Sequence, residues 1–459
     1  MHKNNFIHGN PLIFLISVLF FSLISLFGYA QSENSLKIAK EIEASFQSEL
    51  LEKWYPLCID KQKGGYFSNF TSDWKKGNSQ NKMLVTQSRH IWTTAKVARM
   101  YPDKKETYTT YAAHGVKFLK EKMWDEKFGG FYMMVDRNGK TLPDNYKDEK
   151  RAYGNSFAIY GLAAYYDLTK DESALELAKK TFLWMDKNCH DDEYGGYFEQ
   201  LNRDGSPIEK GESEMFDKVA YRKKDYNSSI HILEAFTELY MVWPDEHLKK
   251  RLAEMLEVVR DKIVTNKGYM LMLFQPDWAY IPFTEYKVSE ERKYVFDHVT
   301  AGHDVETAFL IIEASHALGL KHDEKTMKKA KLMVEHSIQN LWDNELGGLY
   351  DEGYYFEGSD TITILSKGKN WWAQAEAMNA FLLMAKLYPE EEDKYFQLFE
   401  KQWNYIKNYL IDHDYGGWYA SGIDQHPEYQ KRPKASIWKG TYHNARAMMG
   451  CIKMLKEGD

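Results

Sequence analysis

Apolar residues along most of this chain recur with the spacing of an α-helix rather than of a strand. In the segment HILEAFTELYMV, residues 231–242, apolar side chains fall at i, i+1, i+4, i+7 and i+8 counted from Ile232. The segments FAIYGLAAYYDL, TAFLIIEASHAL and QAEAMNAFLLMAKLY have similar spacing, and strand-like alternation is scarce. The pattern therefore predicts a predominantly helical protein.

A short element interrupts these segments at regular intervals. It reads D-x-x-x-G-G followed by two large, mostly aromatic residues, and its five copies have their first glycines at residues 64, 129, 195, 347 and 416. The copies are roughly 70 residues apart, except for one gap of about twice that length. Within the gap lies NKGYMLMLF, which has Gly268 and Tyr269 but no aspartate four residues before Gly268. The spacing predicts six repeats.

Each repeat is long enough for two helices of about 15 residues, so we expect about twelve helices in all. Six pairs predict an all-α (α/α)6 toroid. An open helical solenoid is the alternative, but it needs polar capping repeats, and neither end of the chain is polar enough.

The repeated element is predicted to be the loop between the helices of each pair. Its glycines permit φ > 0, its aspartate caps a turn, and the aromatic residues form short β-hairpins over one mouth of the barrel. A catalytic role for the aspartates, with Asp191-Asp192 as the paired acids of a glycan hydrolase, is the alternative interpretation.

The N-terminus carries a targeting signal. A lysine precedes an apolar run from Leu12 to Phe27, and the tripeptide GYA ends at Ala30. This predicts a signal peptide over residues 1–30, cleaved after Ala30, and a single catalytic domain over residues 31–459 that is periplasmic or secreted. An uncleaved membrane anchor is the alternative, although the run is short for a span.

The amino-acid composition indicates which partners and substrates to expect. The net charge is −7 and the basic residues are scattered, which argues against a nucleic-acid partner. The three cysteines are widely separated and predict neither disulfides nor a metal site. The 32 tyrosines and 13 tryptophans suit sugar rings, although aromatic residues also fill cores. We expect a small carbohydrate substrate, no membrane contact beyond the signal peptide, and a monomer or weak dimer.

Three histidine neighbourhoods combine polar residues with helical spacing. They contain Asn227, His231 and Glu234; His303 and Glu306 beside Gly302; and Trp438 with His443. The two His-x-x-Glu pairs offer four metal ligands, but the di-iron pattern has the reverse order, and no zinc motif is present. No G-x-S-x-G elbow or Gly-rich phosphate loop occurs. The sequence therefore predicts neither metal nor cofactor.

The motifs SRHIW, YNSSIHILEA, AGHDVE, KNWWAQAEA and WKGTYHNAR resemble the N-acylglucosamine 2-epimerase superfamily, and within it the cellobiose or mannobiose 2-epimerase branch. The resemblance runs from about residue 37 to the C-terminus and implies an (α/α)6 barrel. It also implies inversion at C2 of a reducing-end sugar without a metal. The implied catalytic residues are His303, His443, His231, Arg89 and Glu306, and the implied substrate-binding residues are Asn227, Tyr153, Trp372 and Trp438.

The implied chemistry gives these residues roles. Epimerisation at C2 needs ring opening, removal of the proton next to the aldehyde, and its return to the opposite face, which two imidazole bases can perform. We expect His303 and His443 to be these bases, with Arg89 and His231 stabilising the enediolate. Glu306 is expected to hold His303 in the required tautomer.

The chain departs from that branch in one motif, because WKGTYHN stands where WKCPYHN is usual. The substrate is therefore less certain than the reaction type. Three other functions remain open: an aldose–ketose isomerase that shares the enediol step, a secreted (α/α)6 glycan hydrolase or lyase, and a sugar-binding toroid without chemistry.

Overall fold

A computed structural model describes residues 33–142, 149–208, 224–282, 297–320 and 323–457. The predicted signal peptide, residues 1–30, lies outside the described residues. Among the helices that are described, none combines the length and apolar character needed to cross a membrane.

Twelve helices, which alternate between an outer and an inner position, make up the described fold. The outer helices are α1 (33–45, continuing to Trp54), α3 (Lys105–Phe118), α5 (Glu172–Asn188), α7 (Glu246–Glu257), α9 (Glu324–Leu341) and α11 (Glu392–Tyr405). The inner helices are α2 (Leu84–Met100), α4 (Ala152–Thr169), α6 (Tyr226–Val242), α8 (Ala301–Ala317), α10 (Trp371–Leu387) and α12 (Tyr442–Lys456).

The hydrophobic pattern of each helix explains its position. The inner helix α6 is buried at every residue from Ser228 to Leu239, whereas the outer helix α7 buries only the one face that carries Leu248, Leu252, Met255 and Leu256. A helix that is apolar nearly all round must be covered on all sides, so it lies in the inner ring.

The inner ring is closed. Each inner helix contacts the next one along the chain, and α12 returns to contact α2. At this closure the ring of Trp92 lies 5.3 Å from that of Tyr442. The predicted (α/α)6 toroid is therefore confirmed, and the open solenoid is excluded.

Short antiparallel strands cover the mouth at which the inner helices begin. They are β1 (Lys82–Met83) with β2 (Met134–Val135), β3 (Lys150–Arg151) with β4 (Gln200–Leu201), β5 (Lys224–Asp225) with β6 (Leu273–Phe274), and β7 (Val299–Thr300) with β8 (Glu352–Tyr354) and β9 (Thr363–Ser366). Most of these pairs join two successive loops, and β8 with β9 forms a hairpin within one loop. Isolated antiparallel bridges, such as His190 to Tyr197 around Gly195-Gly196, close the short hairpins predicted at the repeated element.

The repeated aspartates are structural. Asp191 Oδ1 accepts the backbone N–H groups of Glu193 and Tyr194, and its Oδ2 lies 2.7 Å from Nζ of the buried Lys224. The glycines that follow have φ of +73° and +77°. The same buried ion pair recurs in four other repeats, as Lys82–Asp60, Lys150–Asp125, Lys369–Asp343 and Lys434–Asp412.

The remaining repeat, which contains Gly268, lacks both residues of this ion pair. Thr265 stands at the position of the aspartate, and its loop keeps the left-handed glycine, Gly268, with φ of +96°. Val299, two residues before α8, stands where Lys224 stands before α6. The two charges are absent together, as expected because either one alone would be buried without a partner.

The Asp191-Asp192 pair provides a direct test of the structural role. Asp191→Ala is expected to lower the free energy of unfolding by about 3–5 kcal/mol, because it leaves Lys224 buried and unpaired. Asp192→Ala is the matched control, since that side chain is 94% exposed, and it should leave stability unchanged. Urea denaturation measures both; equal stabilities of the two variants would contradict the structural role.

Candidate active site

The predicted site residues gather at the covered mouth of the barrel. Each lies in the first turns of an inner helix, except Trp438, which precedes α12. Helix spacing explains this placement, because residues near the start of each inner helix that face the axis meet at one end of the ring. The residues brought together are Arg89, Tyr153, Asn227, His231, His303, Glu306, Trp372 and His443.

His303 and His443 pack on the same tryptophan. The ring of Trp372 lies 4.4 Å from the ring of His303 and 5.5 Å from that of His443. A Cβ atom on Gly302 would lie 2.7 Å from the Trp372 ring, so the glycine is required for this close approach. The structure thus brings the two histidines proposed as bases together around one aromatic ring.

All three pocket histidines are held through Nδ1. The Nδ1 of His231 lies 2.9 Å from Glu234 Oε2, and that of His443 lies 2.7 Å from Glu376 Oε1. The Nδ1 of His303 lies 3.0 Å from the Tyr226 hydroxyl. Because Nδ1 of each ring is already hydrogen-bonded, Nε2 is the nitrogen that can contact a ligand.

The expected role of Glu306 is therefore wrong in one respect. This carboxylate does not hold the His303 tautomer, because Nδ1 of His303 meets Tyr226. Glu306 instead binds Arg446 and lies 3.8 Å from Nδ1 of His443. Helical spacing placed Glu306 near His303 but could not show that another helix supplies a better-aligned partner.

Arg446 lies at the centre of three buried carboxylates. Its Nη1 donates to Glu234 and to the Tyr442 hydroxyl, and its Nη2 donates to Glu306 and to Glu376, the last at 2.6 Å. The carboxylates come from three helices, α6, α8 and α10, so Arg446 joins one side of the inner ring. We call Arg446 with Glu234, Glu306 and Glu376 the carboxylate cluster.

Electrostatics within the cluster differ from one acid to the next. Burial would raise the pKa of Glu234, but Arg446 and His231 lower it to about 2. Burial dominates at Glu376 and raises its pKa, although Arg446 opposes this shift. Burial would lower the pKa of Arg446, but Glu376, Tyr442 and Glu234 raise it well above its usual value. The guanidinium therefore stays charged.

The two histidines on Trp372 are neutral. Burial, followed by the nearby His231 and His443, lowers the pKa of His303 well below its usual value. Burial also lowers the pKa of His443 well below its usual value, and Glu306 opposes this shift. A neutral imidazole has a lone pair that can accept a proton, as a general base requires.

Arg89 is held in a fixed orientation by aromatic rings. Its guanidinium lies 4.3 Å from the ring centre of Phe157 and 4.8 Å from that of Tyr442. Its Nη2 donates to the Tyr153 hydroxyl at 3.4 Å, and the Tyr153 ring packs 5.4 Å from that of His231. Arg89 thus brings a positive charge into the histidine pocket without a carboxylate partner among the described residues.

A cavity of about 210 Å³ adjoins this pocket. Tyr153, Asn227 and Trp438 line it, together with the polar side chains of Arg151 and Glu199. Trp438 is 48% exposed, so its ring is available for stacking. Three of the four predicted substrate-binding residues therefore share one cavity, while the fourth, Trp372, packs against His303 and His443.

Two sets of side chains have the donor atoms of a metal site. They are His231, His303 and Glu306, and Glu306, Glu376 and His443, each with donor atoms within 4.8 Å of one another. The Arg446 guanidinium already contacts both Glu306 and Glu376, and it therefore occupies the place where a metal that bridges these two acids would bind. In the second set, the guanidinium of Arg446 already supplies a positive charge. In the first set, Nδ1 of His231 is already bound to Glu234.

The sequence comparison decides the family. The profile of the N-acylglucosamine 2-epimerase (GlcNAc 2-epimerase) family matches residues 65–447. The chain belongs to this family. The N-acylglucosamine 2-epimerase match includes every predicted site residue, from Arg89 to His443.

This chain is similar to individual members of the family over nearly its whole length and theirs. The cellobiose 2-epimerase of Dictyoglomus turgidum is 28% identical, covering 92% of this chain and 100% of the relative. The D-mannose isomerase of Marinomonas mediterranea is 24% identical, covering 88% of this chain and 93% of the relative. The structure of the cellobiose 2-epimerase from Bacillus thermoamylovorans B4167 has a TM-score of 0.78 at 27% identity, covering 91% of this chain and 99% of that chain. The protein is a sugar epimerase or isomerase.

Thr441 belongs to the motif WKGTYHN, in which this chain departs from the WKCPYHN expected for the disaccharide branch. Thr441 is fully buried, and its hydroxyl lies 3.2 Å from Thr93 Oγ1 and 3.3 Å from the Tyr55 hydroxyl. Thr441 therefore forms polar contacts between α1, α2 and the start of α12, and these contacts do not reach His303 or His443.

Sequence reasoning missed several residues of this family site. Glu376 and Arg446 stood inside the motifs KNWWAQAEA and WKGTYHNAR, and their charge within strongly apolar helices was an available signal. Tyr226 and Tyr442 stood directly before Asn227 and His443, where nothing distinguished them from core tyrosines.

The ionisation of Glu234 predicts a pH-dependent contribution to stability. Its pKa falls from 4.5 to about 2 on folding, which corresponds to about 3 kcal/mol. The difference in unfolding free energy between wild type and Glu234→Gln is expected to be fully present above pH 4.5 and to vanish as the pH falls towards 2. Urea titrations at several pH values measure it, with the exposed Glu176→Gln as control. A difference that does not depend on pH would contradict the assignment.

Proposed function

We propose that the protein inverts C2 of the reducing-end aldose of a β-1,4-linked disaccharide or oligosaccharide, interconverting glucose and mannose ends through a cis-enediolate. The observation that carries this proposal is the pair His303 and His443, which pack on one tryptophan with each Nδ1 held by a partner. Membership of a sugar epimerase family and the relative named cellobiose 2-epimerase support it.

The reaction begins once the sugar ring has opened. The Nε2 of one neutral histidine accepts the C2 proton, the electron pair moves into the C1–C2 bond, and negative charge develops on the aldehyde oxygen. Arg89 stabilises this charge, because its guanidinium is fixed between Phe157 and Tyr442 and costs little to reorganise. His231, held by Glu234, donates a second hydrogen bond.

The second histidine returns a proton to the opposite face of C2. For His443 the source is its contact with Glu376, whose pKa burial raises. As Nε2 of His443 gives its proton to carbon, Nδ1 takes the proton shared with Glu376 across 2.7 Å. The C1 carbonyl re-forms and C2 is inverted. The first histidine now holds the proton taken from C2 and Glu376 has given one up, so the count over the three groups is unchanged, and proton exchange with solvent resets them for the next turnover.

The rest of the sugar occupies the adjoining cavity. A hydroxyl-rich glycosyl unit suits the polar lining and the exposed Trp438 ring. The predicted signal peptide would place this activity in the periplasm or outside the cell, on oligosaccharides rather than on phosphorylated sugars.

Proton NMR with cellobiose and with β-1,4-mannobiose in D2O tests the function. The expected result is a new set of reducing-end signals from the C2 epimer, with deuterium at C2, an intact glycosidic bond and the same rate after treatment with EDTA. A ketose would establish the isomerase that the relative named D-mannose isomerase represents. Free monosaccharide, or no change with either sugar, would overturn the proposal.

A further inference from the structure

The three histidines of the pocket differ in the chemistry of their Nδ1 partners. His231 and His443 each meet a carboxylate, Glu234 and Glu376, and both acids bind Arg446. His303 meets the hydroxyl of Tyr226 at 3.0 Å, with the two rings edge-on at 5.1 Å. We propose that Tyr226 is the positioning residue of His303: its hydroxyl fixes the ring through Nδ1, turns Nε2 towards the sugar, and gives this base an uncharged partner. The proposal rests on the proposed function.

The position of Tyr226 suits this role. It is the first residue of α6, and β5 (Lys224–Asp225), paired with β6, holds the chain directly before it. The backbone N–H of Tyr226 donates to the carbonyl of Met272 at 3.1 Å. Asp225 caps the helix by accepting the N–H of Ser228 at 2.8 Å. The ring therefore projects from an anchored helix start towards α8, where its hydroxyl meets Nδ1 of His303.

A phenol and a carboxylate have different effects on an imidazole. A carboxylate strongly stabilises the imidazolium, whereas a neutral hydroxyl that accepts from Nδ1–H stabilises it only weakly. Burial raises the pKa of Tyr226 well above its usual value, so the phenol remains protonated. Tyr226 thus fixes the geometry of His303 without adding an anion.

The charges around His303 act in the same direction. His231 on α6, His443 on α12, Arg89 on α2 and His298 before α8 all lower the pKa of His303, after the larger effect of burial. A carboxylate oxygen of Glu306, on the same helix as His303, lies within 4.8 Å of a ring nitrogen of His303, but this carboxylate is bound to Arg446. In the part of the chain that the structure describes, His303 therefore has no anionic partner on Nδ1, whereas His443 has Glu376, with which it can share a proton. The two bases of the reaction are unequal.

The variant Tyr226→Phe tests the assignment because it removes one oxygen atom and keeps the ring. We expect kcat to fall about 10–100-fold with KM changed less than about 3-fold, as for a misoriented general base. The acid limb of the kcat/KM profile should move to lower pH, because the imidazolium of His303 loses its hydrogen-bond acceptor. A purely structural role would not move that limb.

The chain offers a matched control. Tyr355 makes the same kind of contact, since its hydroxyl lies 2.8 Å from Nε2 of His336 on the outer helix α9. Tyr355→Phe is expected to leave kcat and the pH profile unchanged. A loss of activity equal to that of Tyr226→Phe would show that any buried tyrosine–histidine contact matters equally, and would overturn the specific role.

Nitrogen-15 NMR of labelled histidines provides a readout that does not depend on turnover. In the wild type, the two His303 nitrogens should have well-separated shifts that indicate one fixed tautomer, with the signals assigned by their loss in His303→Gln. In Tyr226→Phe the two shifts should converge as the tautomers exchange. Unchanged shifts would overturn the proposal, whereas convergence in a protein without epimerase activity would mean that the proposed function, not the contact, is wrong.

Discussion

Replacing either His303 or His443 by glutamine is expected to lower the rate of epimer interconversion by about 10³-fold or more. General acid–base catalysis by one positioned group contributes about 10²–10⁴-fold, and the reaction needs a base on each face of C2. Glutamine keeps much of the side-chain volume against Trp372 but cannot accept and release a proton. The measurement is the rate of appearance of the C2 epimer by proton NMR.

His336→Gln is the control for these variants. His336 is also buried and hydrogen-bonded to a tyrosine, but it lies on the outer helix α9. It should keep wild-type turnover. In D2O, deuterium exchange confined to one epimer in each catalytic variant would identify the base that survives. Interconversion at the wild-type rate in His303→Gln or His443→Gln would contradict the two-base mechanism.

Replacing Arg446 by methionine is expected to have the largest effect on stability. Glu234, Glu306 and Glu376 would remain buried without the guanidinium, and removing one partner of a buried ion pair costs about 3–5 kcal/mol. The loss should be smaller at pH 5 than at pH 8, because the unpaired carboxylates take up protons as the pH falls. Urea denaturation at the two pH values measures the effect.

Arg99→Met is the matched control for this variant. The side chain of Arg99 is 60% exposed and pairs with Asp167 at the surface, so its loss should leave stability unchanged at both pH values. A loss of stability in Arg446→Met that is the same at pH 5 and pH 8 would show that packing, rather than charge, accounts for the effect.

The carboxylate cluster also bears on the proposed base chemistry. Arg446 neutralises part of the negative charge, and burial raises the pKa of Glu376 beside His443, although Arg446 opposes this shift. The carboxylate cluster lies about one helical turn further along the inner helices that carry the pocket residues. Stability and catalysis are therefore coupled, and variants of the cluster should change both.

The sequence by itself determined the architecture, because the features that specify it are local. Apolar residues at helical spacing predicted about twelve helices, and the repeated D-x-x-x-G-G element predicted six units with glycines at φ > 0. The contact between His231 and Glu234 was also within reach, since it joins residues three apart on one helix. The motifs then predicted which residues gather at the mouth.

Only the tertiary structure decided how these residues pair. The partner of His443 is 67 residues away and that of His303 is 77 residues away, so no spacing within a helix could indicate them. Strands from successive loops pair with each other, and Arg446 meets acids from three other helices. These contacts depend on the closure and rotation of the inner ring, which follow from packing across the whole barrel. That is why Glu306 was expected to hold the His303 ring, whereas Tyr226 holds it and Glu306 binds Arg446.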